Sequence, residues 1–89
     1  MPFDEKNLER FQKSLDENMT WPCRYLFKFI VPQIRLASLM VLFDGSAYHL
    51  RDSANGNYVG LTAEVEVASS DQVADIYRRA ARIEGIVIL

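Results

Sequence analysis

One cysteine, one histidine, three prolines and four glycines stand in 89 residues. A lone Cys23 has no internal disulfide partner, and with the single His49 it falls short of the ligand set of a structural zinc site. Neither a metal nor a cofactor is therefore expected. Long hydrophobic runs are missing as well: the longest, Leu39 to Phe43, has five residues, against the roughly 20 of a membrane-spanning helix. Asp4 and Glu5 stand where a secretory signal carries basic residues, so a cytoplasmic protein is expected. There is no repeat, low-complexity tract or Gly/Ser/Pro-rich linker. Nor is there a basic surplus, since 10 Lys+Arg face 12 Asp+Glu. The excess acid lies early: Asp4, Glu5, Glu9, Asp16 and Glu17 outnumber Lys6, Arg10 and Lys13, and the remainder of the chain is neutral. A phosphate-binding surface shows as a basic excess, so neither nucleic acid nor an anionic membrane is expected as a partner.

What is present describes one small domain with a thin core, because a chain this short buries only about 60% of the surface its unfolded form exposes. A protein partner, with homodimerisation as one form of it, would add buried surface. Residues 1–20 read as a helical extension, with Leu8, Phe11 and Leu15 on one stripe, Asp4 and Glu5 at the start and Asn18 at the end. Such a helix is marginal alone in water and needs a surface to lie on.

From residue 21 to 89 the pattern is that of a single α+β domain. Tyr25, Phe27, Phe29 and Val31 alternate with Arg24, Leu26, Lys28 and Ile30, which predicts a strand. Pro32 suits the first position of a following helix, whose stripe is Leu36, Leu39, Met40 and Phe43 and which Gly45 follows. The uninterrupted run from Leu39 leaves a buried strand as the competing reading. Asn55-Gly56 predicts a two-residue type I′ hairpin that sets Leu50 opposite Leu61 and Tyr48 opposite Ala63. One face then holds Tyr48, Leu50, Val59, Leu61, Ala63, Val65 and Val67, and the other holds His49, Arg51, Ser53, Tyr58, Gly60, Thr62, Glu64 and Glu66. Ser69 and Gln72 suggest a capping box ahead of a helix with Val73, Ile76, Tyr77 and Ala80 inward, ended by Gly85. Ile86 to Leu89 closes the chain as a short strand. The order strand, helix, strand, strand, helix, strand with right-handed crossovers predicts a ferredoxin-like βαββαβ sandwich, an antiparallel sheet in order 4-1-3-2, with an extra N-terminal helix.

Trp21-Pro22-Cys23 opening a strand, the stretch Arg51-Asp52-Ser53-Ala54-Asn55-Gly56-Asn57-Tyr58-Val59-Gly60-Leu61-Thr62, Ile76-Tyr77 in the last helix and the hydrophobic end after Gly85 together resemble the uncharacterised bacterial YbeD-like family. The resemblance covers about residues 20–89 and leaves the first helix outside. It implies a fold like that of ACT-type regulatory domains, and no established activity. ACT-type effector binding relies on a glycine between the first strand and first helix, where this chain has Val31-Pro32-Gln33. That difference weighs against amino-acid sensing.

No catalytic constellation is expected. Cys23 has no base near it in sequence, and His49 stands opposite Thr62 without a carboxylate to orient it. Glu64 and Glu66 share a face with Arg24 and Lys28 and read as a cross-strand charge ladder. RNA-binding relatives of this fold stack bases on aromatics of the two central strands; here that face offers Tyr58 and two glutamates. The expected function is a non-enzymatic regulatory or protein-interaction module. Its expected surface is Leu26, Ile30 and Tyr58 on the open sheet face and Ile86 and Ile88 on the last strand, an uncharged edge. The helix bearing Leu8, Phe11 and Leu15 is expected to dock across that open face, in its own subunit or in a neighbour's. The alternative is an ACT-like domain holding a small molecule between subunits.

Overall fold

The structure is a computed structural model and describes residues 4–53 and 55–89. Its elements are α1 (Glu5–Asn18), β1 (Cys23–Pro32), a 3-10 turn (Gln33–Arg35), α2 (Leu36–Leu42), β2 (Ala47–Asp52), β3 (Tyr58–Val67), α3 (Ser70–Ala81) and β4 (Val87–Ile88). The strands form one antiparallel sheet in the order β2-β3-β1-β4, which is the predicted order read from the other side. The hairpin register also agrees: Leu50 stands opposite Leu61, and Tyr48 opposite Ala63. Alternation puts Phe27, Phe29, Val31, Val59, Leu61, Ala63, Val65 and Val67 on the covered face, all buried. Leu50 shares that face but remains exposed, because it lies on the β2 edge.

Local details differ from the sequence pattern where side chains or a second partner intervene. Pro32 ends β1 instead of opening a helix: it is extended (φ −56°, ψ 140°) and stands opposite Tyr58. The next donor, the Gln33 N–H, bonds the Asn57 carbonyl at 3.0 Å. Donors alternate sides along a strand, so the N–H that proline lacks would have pointed away from β3 and costs that ladder nothing. Gly85 lies against the Pro32 ring. A Cβ there would sit 2.7 Å from Pro32 Cγ, and φ is +80°, so only glycine fits.

The turn is not the two-residue type I′ form, which needs positive φ at both central positions. Gly56 has φ +74°, but among the described residues no other residue type has positive φ. The ladder instead closes at Ser53 N–H to the Tyr58 carbonyl, 2.9 Å. The Asn55 side chain accepts from Ser53 Oγ at 3.0 Å and from the Asn57 N–H at 3.4 Å, holding the loop without a left-handed asparagine. The capping box is likewise half formed. Ser69 is the cap of α3 without a side-chain bond, and Gln72 Oε1 accepts from the Ala68 N–H at 2.9 Å, one residue further back.

The core is aromatic, and Tyr77 is at its middle. Its ring meets Phe27 at 5.3 Å, Phe11 at 5.6 Å, Phe29 at 5.9 Å and Tyr25 at 6.2 Å, in edge-to-face geometry throughout. Phe43, just past α2, joins through Phe27 and Phe29. The Tyr77 hydroxyl is 3.1 Å from that of Tyr25, which satisfies both polar tips inside the cluster.

Phe11 belongs to α1, and this helix does not cross the open sheet face as expected. It packs on α3, with Leu8 fully buried and Leu15 nearly so in the common core. Three polar contacts fix its angle: Glu5 accepts from Arg78 at 2.9 Å, Asp71 from Gln12, and Asp16 from the Trp21 ring nitrogen at 3.1 Å. Asp4 caps the helix by accepting from the Asn7 N–H at 2.8 Å. The reason for this placement is chemical: α3 exposes Tyr77 and its neighbours on the flank of the helix layer, and an apolar stripe gains more there than over charged strands.

Two predictions follow from this packing. Leu8→Ala is expected to lower the unfolding free energy by about 2–5 kcal/mol in urea titration, the cost of a core truncation, whereas a helix off the core would lose almost nothing. Burial, then the hydrogen bond with Tyr25, hold the Tyr77 phenol above its ordinary value of 10.0. The folded protein therefore keeps a proton that the unfolded chain releases, a contribution complete below pH 10 and declining as pH rises beyond it. Denaturation at several pH values above 10 is expected to show Tyr77→Phe losing stability less steeply than wild type, by up to about 1.4 kcal/mol per pH unit.

Candidate functional site

With α1 and α3 on one side of the sheet, no element among the described residues covers the other. Its residues follow from the register. Along the strands, in successive rows, stand Ile30, Gly60 and Arg51, then Lys28, Thr62 and His49, then Leu26, Glu64 and Ala47, and last Arg24 and Glu66. Tyr58 lies beyond the first row, and Val87 of β4 stands beside Ile30. Leu26 and Tyr58 are 52% and 45% exposed, large values for apolar side chains in the middle of a sheet.

A concavity of about 510 Å³ opens on this face, lined by Lys28, Ile30, His49, Arg51, Thr62 and Leu89 among others, with Gly60 in its floor. The glycine makes the dent. Its backbone is not left-handed, and a Cβ there would meet only the Arg51 and Phe29 carbonyl oxygens at 3.7 and 3.9 Å, ordinary contact distances. Local sterics do not demand a glycine, so its effect is on the surface above it. The side chains around the dent include Lys28, Arg51 and His49 and no carboxylate.

The expected surface residues divide. Leu26, Ile30 and Tyr58 are together on the open face. Ile86 and Ile88 are not with them: Ile88 stands opposite Phe29, and both isoleucines are half-buried against the core. In β4 it is Val87, opposite Ile30, that faces outward. Leu8, Phe11 and Leu15 are on the far side of the molecule, in the α1–α3 packing. The charge ladder has one opposed rung, Arg24 with Glu66, while Lys28 faces Thr62 and Glu64 faces Leu26. Among the described residues none of these charges pairs within 4 Å; the ion pairs are Arg35–Glu84, Arg78–Glu5 and Arg79–Asp75.

Cys23 is half-buried against the core, on the opposite side of the sheet from His49, which stands opposite Thr62. Among the described residues no three His, Cys, Asp or Glu side chains converge as a metal site would require, and no helix is long and apolar enough to cross a membrane. A second apolar surface was not anticipated. Ile34 and Val41, 85% and 72% exposed, lie seven residues apart on the outer side of the 3-10 turn and α2. Their spacing off the Leu36, Leu39, Met40, Phe43 stripe is the signal that would have found them.

The family model that matches this chain covers residues 16–89, which takes in every strand and therefore the whole open face. The chain belongs to the family described as "Protein of unknown function (DUF493)". Comparison with curated proteins and with solved structures gives no match. The DUF493 match starts in the last turn of α1, so Leu8, Phe11 and Leu15 precede it. In this DUF493 protein, then, the helix that completes the core comes from outside the matched stretch, and the bare face from within it.

Because glycine inside a strand costs about 0.5–1 kcal/mol relative to alanine and a Cβ has room here, Gly60→Ala is expected to raise the unfolding free energy by a similar amount. Urea titration checks this, and a loss of stability would show that the backbone needs the glycine.

Proposed function

We propose that the protein is a non-enzymatic interaction module that binds protein through the open face of its sheet. The observation that carries this reading is the co-location of Leu26, Ile30, Tyr58 and Val87 on a face that no element of the described chain covers. An aliphatic and aromatic centre bordered by charge is the composition of a binding surface. The separation of Cys23 from His49 across the sheet supports a non-enzymatic role, and Glu64 and Glu66 further along the same strand face as Tyr58, the one exposed tyrosine among the described residues, support protein over nucleic acid as the partner. The resemblance to YbeD-like and ACT-type domains agrees with a regulatory setting, and a cytoplasmic one fits the composition.

The concavity over Gly60 favours a second reading, an ACT-like domain that holds a small anionic molecule near Lys28 and Arg51. Thermal shift against a panel of amino acids and carboxylates separates the two, since a ligand that binds only the folded state raises the melting temperature, the more so the further its concentration exceeds the dissociation constant.

For the leading reading, affinity capture from the source cell is expected to retain a partner with wild type and with Val41→Asp, and to lose it with Leu26→Asp. Loss with Val41→Asp alone would move the interaction to the outer side of α2. Equal retention by all three would contradict a role for the sheet face.

A further inference from the structure

The open face carries its charges unevenly, and we infer that it pairs with the same face of a second copy of this chain, turned so that the basic end of one lies over the acidic end of the other. The inference rests on the face being a protein-binding surface and names the partner. Arg24 and Glu66 stand opposite one another and offset each other within the sheet. Lys28 has Thr62 opposite it, and Arg51 has Gly60, so neither cation faces a carboxylate. Glu64 stands between Leu26 and Ala47, a carboxylate facing no cation. The surplus is therefore positive in the rows of Arg51 and Lys28 and negative in the row of Glu64, with Ile30 in the Arg51 row and Leu26 in the Glu64 row.

One two-fold arrangement suits this pattern. An axis running along the strands lays each row on the same row of the copy, so that the Arg51 and Lys28 rows meet cationic rows and the Glu64 row meets its own like. An axis running across the strands, between the Lys28 row and the Leu26 row, exchanges the two ends. Lys28 then lies over the row of Leu26 and Glu64, and the row of Arg51 and Gly60 lies over that of Arg24 and Glu66. Such a contact is isologous, so every favourable pair occurs twice. Packed sheets stand about 10 Å apart, a gap that extended lysine and glutamate side chains bridge from both sides, and the dent at Gly60 leaves room for the Glu66 chain. Leu26 and Ile30 then lie against the aliphatic stems of Lys28 and Arg24 of the copy. The four strands hold 28 residues between them, which at about 3.4 Å by 4.8 Å each make a face of about 460 Å², smaller than the roughly 800 Å² per partner of standard interfaces. The association is accordingly weak, concentration-dependent and sensitive to salt.

Sedimentation equilibrium of the full chain over a wide concentration range tests this, at low and at high salt. Wild type is expected to dimerise reversibly, less at high salt. Lys28→Glu alone and Glu64→Lys alone each place like charges in both symmetric contacts and are expected to weaken dimerisation about tenfold. Mixed in equal amounts, the two variants form a heterodimer in which both contacts are attractive, and association returns to the wild-type level. Both residues are exposed, and circular dichroism checks that each variant keeps the fold. A wild-type chain that is monomeric at every concentration overturns the inference, as does a mixture no more associated than its components. If the chain is monomeric yet captures a different protein in a manner that Leu26→Asp abolishes, the second copy is excluded and the interaction reading stands.

Discussion

The ring of Tyr77 has to be covered on more sides than one sheet and two short helices can reach. From α3 it meets Tyr25, Phe27 and Phe29 of β1 below it, and Phe11 of α1 closes the flank. Buried aromatic rings dominate the energetics of a small core, and this domain has little else to draw on: α2 is two turns long and β4 is two residues. The first helix adds to the core from the α3 side, with Leu8 and Leu15 buried alongside Phe11, which itself stays half-buried. The hydroxyl pair of Tyr25 and Tyr77 removes the polar cost of burying two phenols next to each other.

That use of α1 determines what is left free. A helix with one apolar stripe has one docking site, and once the stripe is on α3 no described part of the chain remains to cover the other side of the sheet. The open face thus keeps Leu26, Ile30, Tyr58 and Val87 in solvent, with Lys28 and Arg51 toward one end and Glu64 toward the other. The proposed binding role and the proposed two-fold pairing both derive from that face.

Much of the fold was legible because two-residue periodicity speaks directly about faces. The alternation of Phe27, Phe29 and Val31 with Leu26, Lys28 and Ile30 separated core from surface correctly, and the register of the hairpin survived even though its turn was of another kind. The turn itself was not legible, because it depends on where the Asn55 side chain points. The orientation of Ile86 and Ile88 was not either, since Ile86 to Leu89 is apolar at every position and has no alternation to read. Pairing with β1 decides it, and that is tertiary information. The docking of α1 failed for a related reason: an apolar stripe states that a helix has a face to bury, and is silent about which neighbour will take it. The apolar outer side of α2, with Ile34 and Val41, was not legible because these two residues stand off the Leu36, Leu39, Met40, Phe43 stripe by which a helix declares its buried face.

The central claim is that α1 completes the aromatic core on the helix side and so leaves the sheet face bare. Nuclear Overhauser contacts from the Phe11 ring in the full chain test it most directly. Cross-peaks to the Tyr77 ring, 5.6 Å away between centroids, with none to Leu26, Ile30 or Tyr58, are the predicted result. Cross-peaks from Phe11 to Leu26 or Ile30 would place the helix over the sheet and contradict the account.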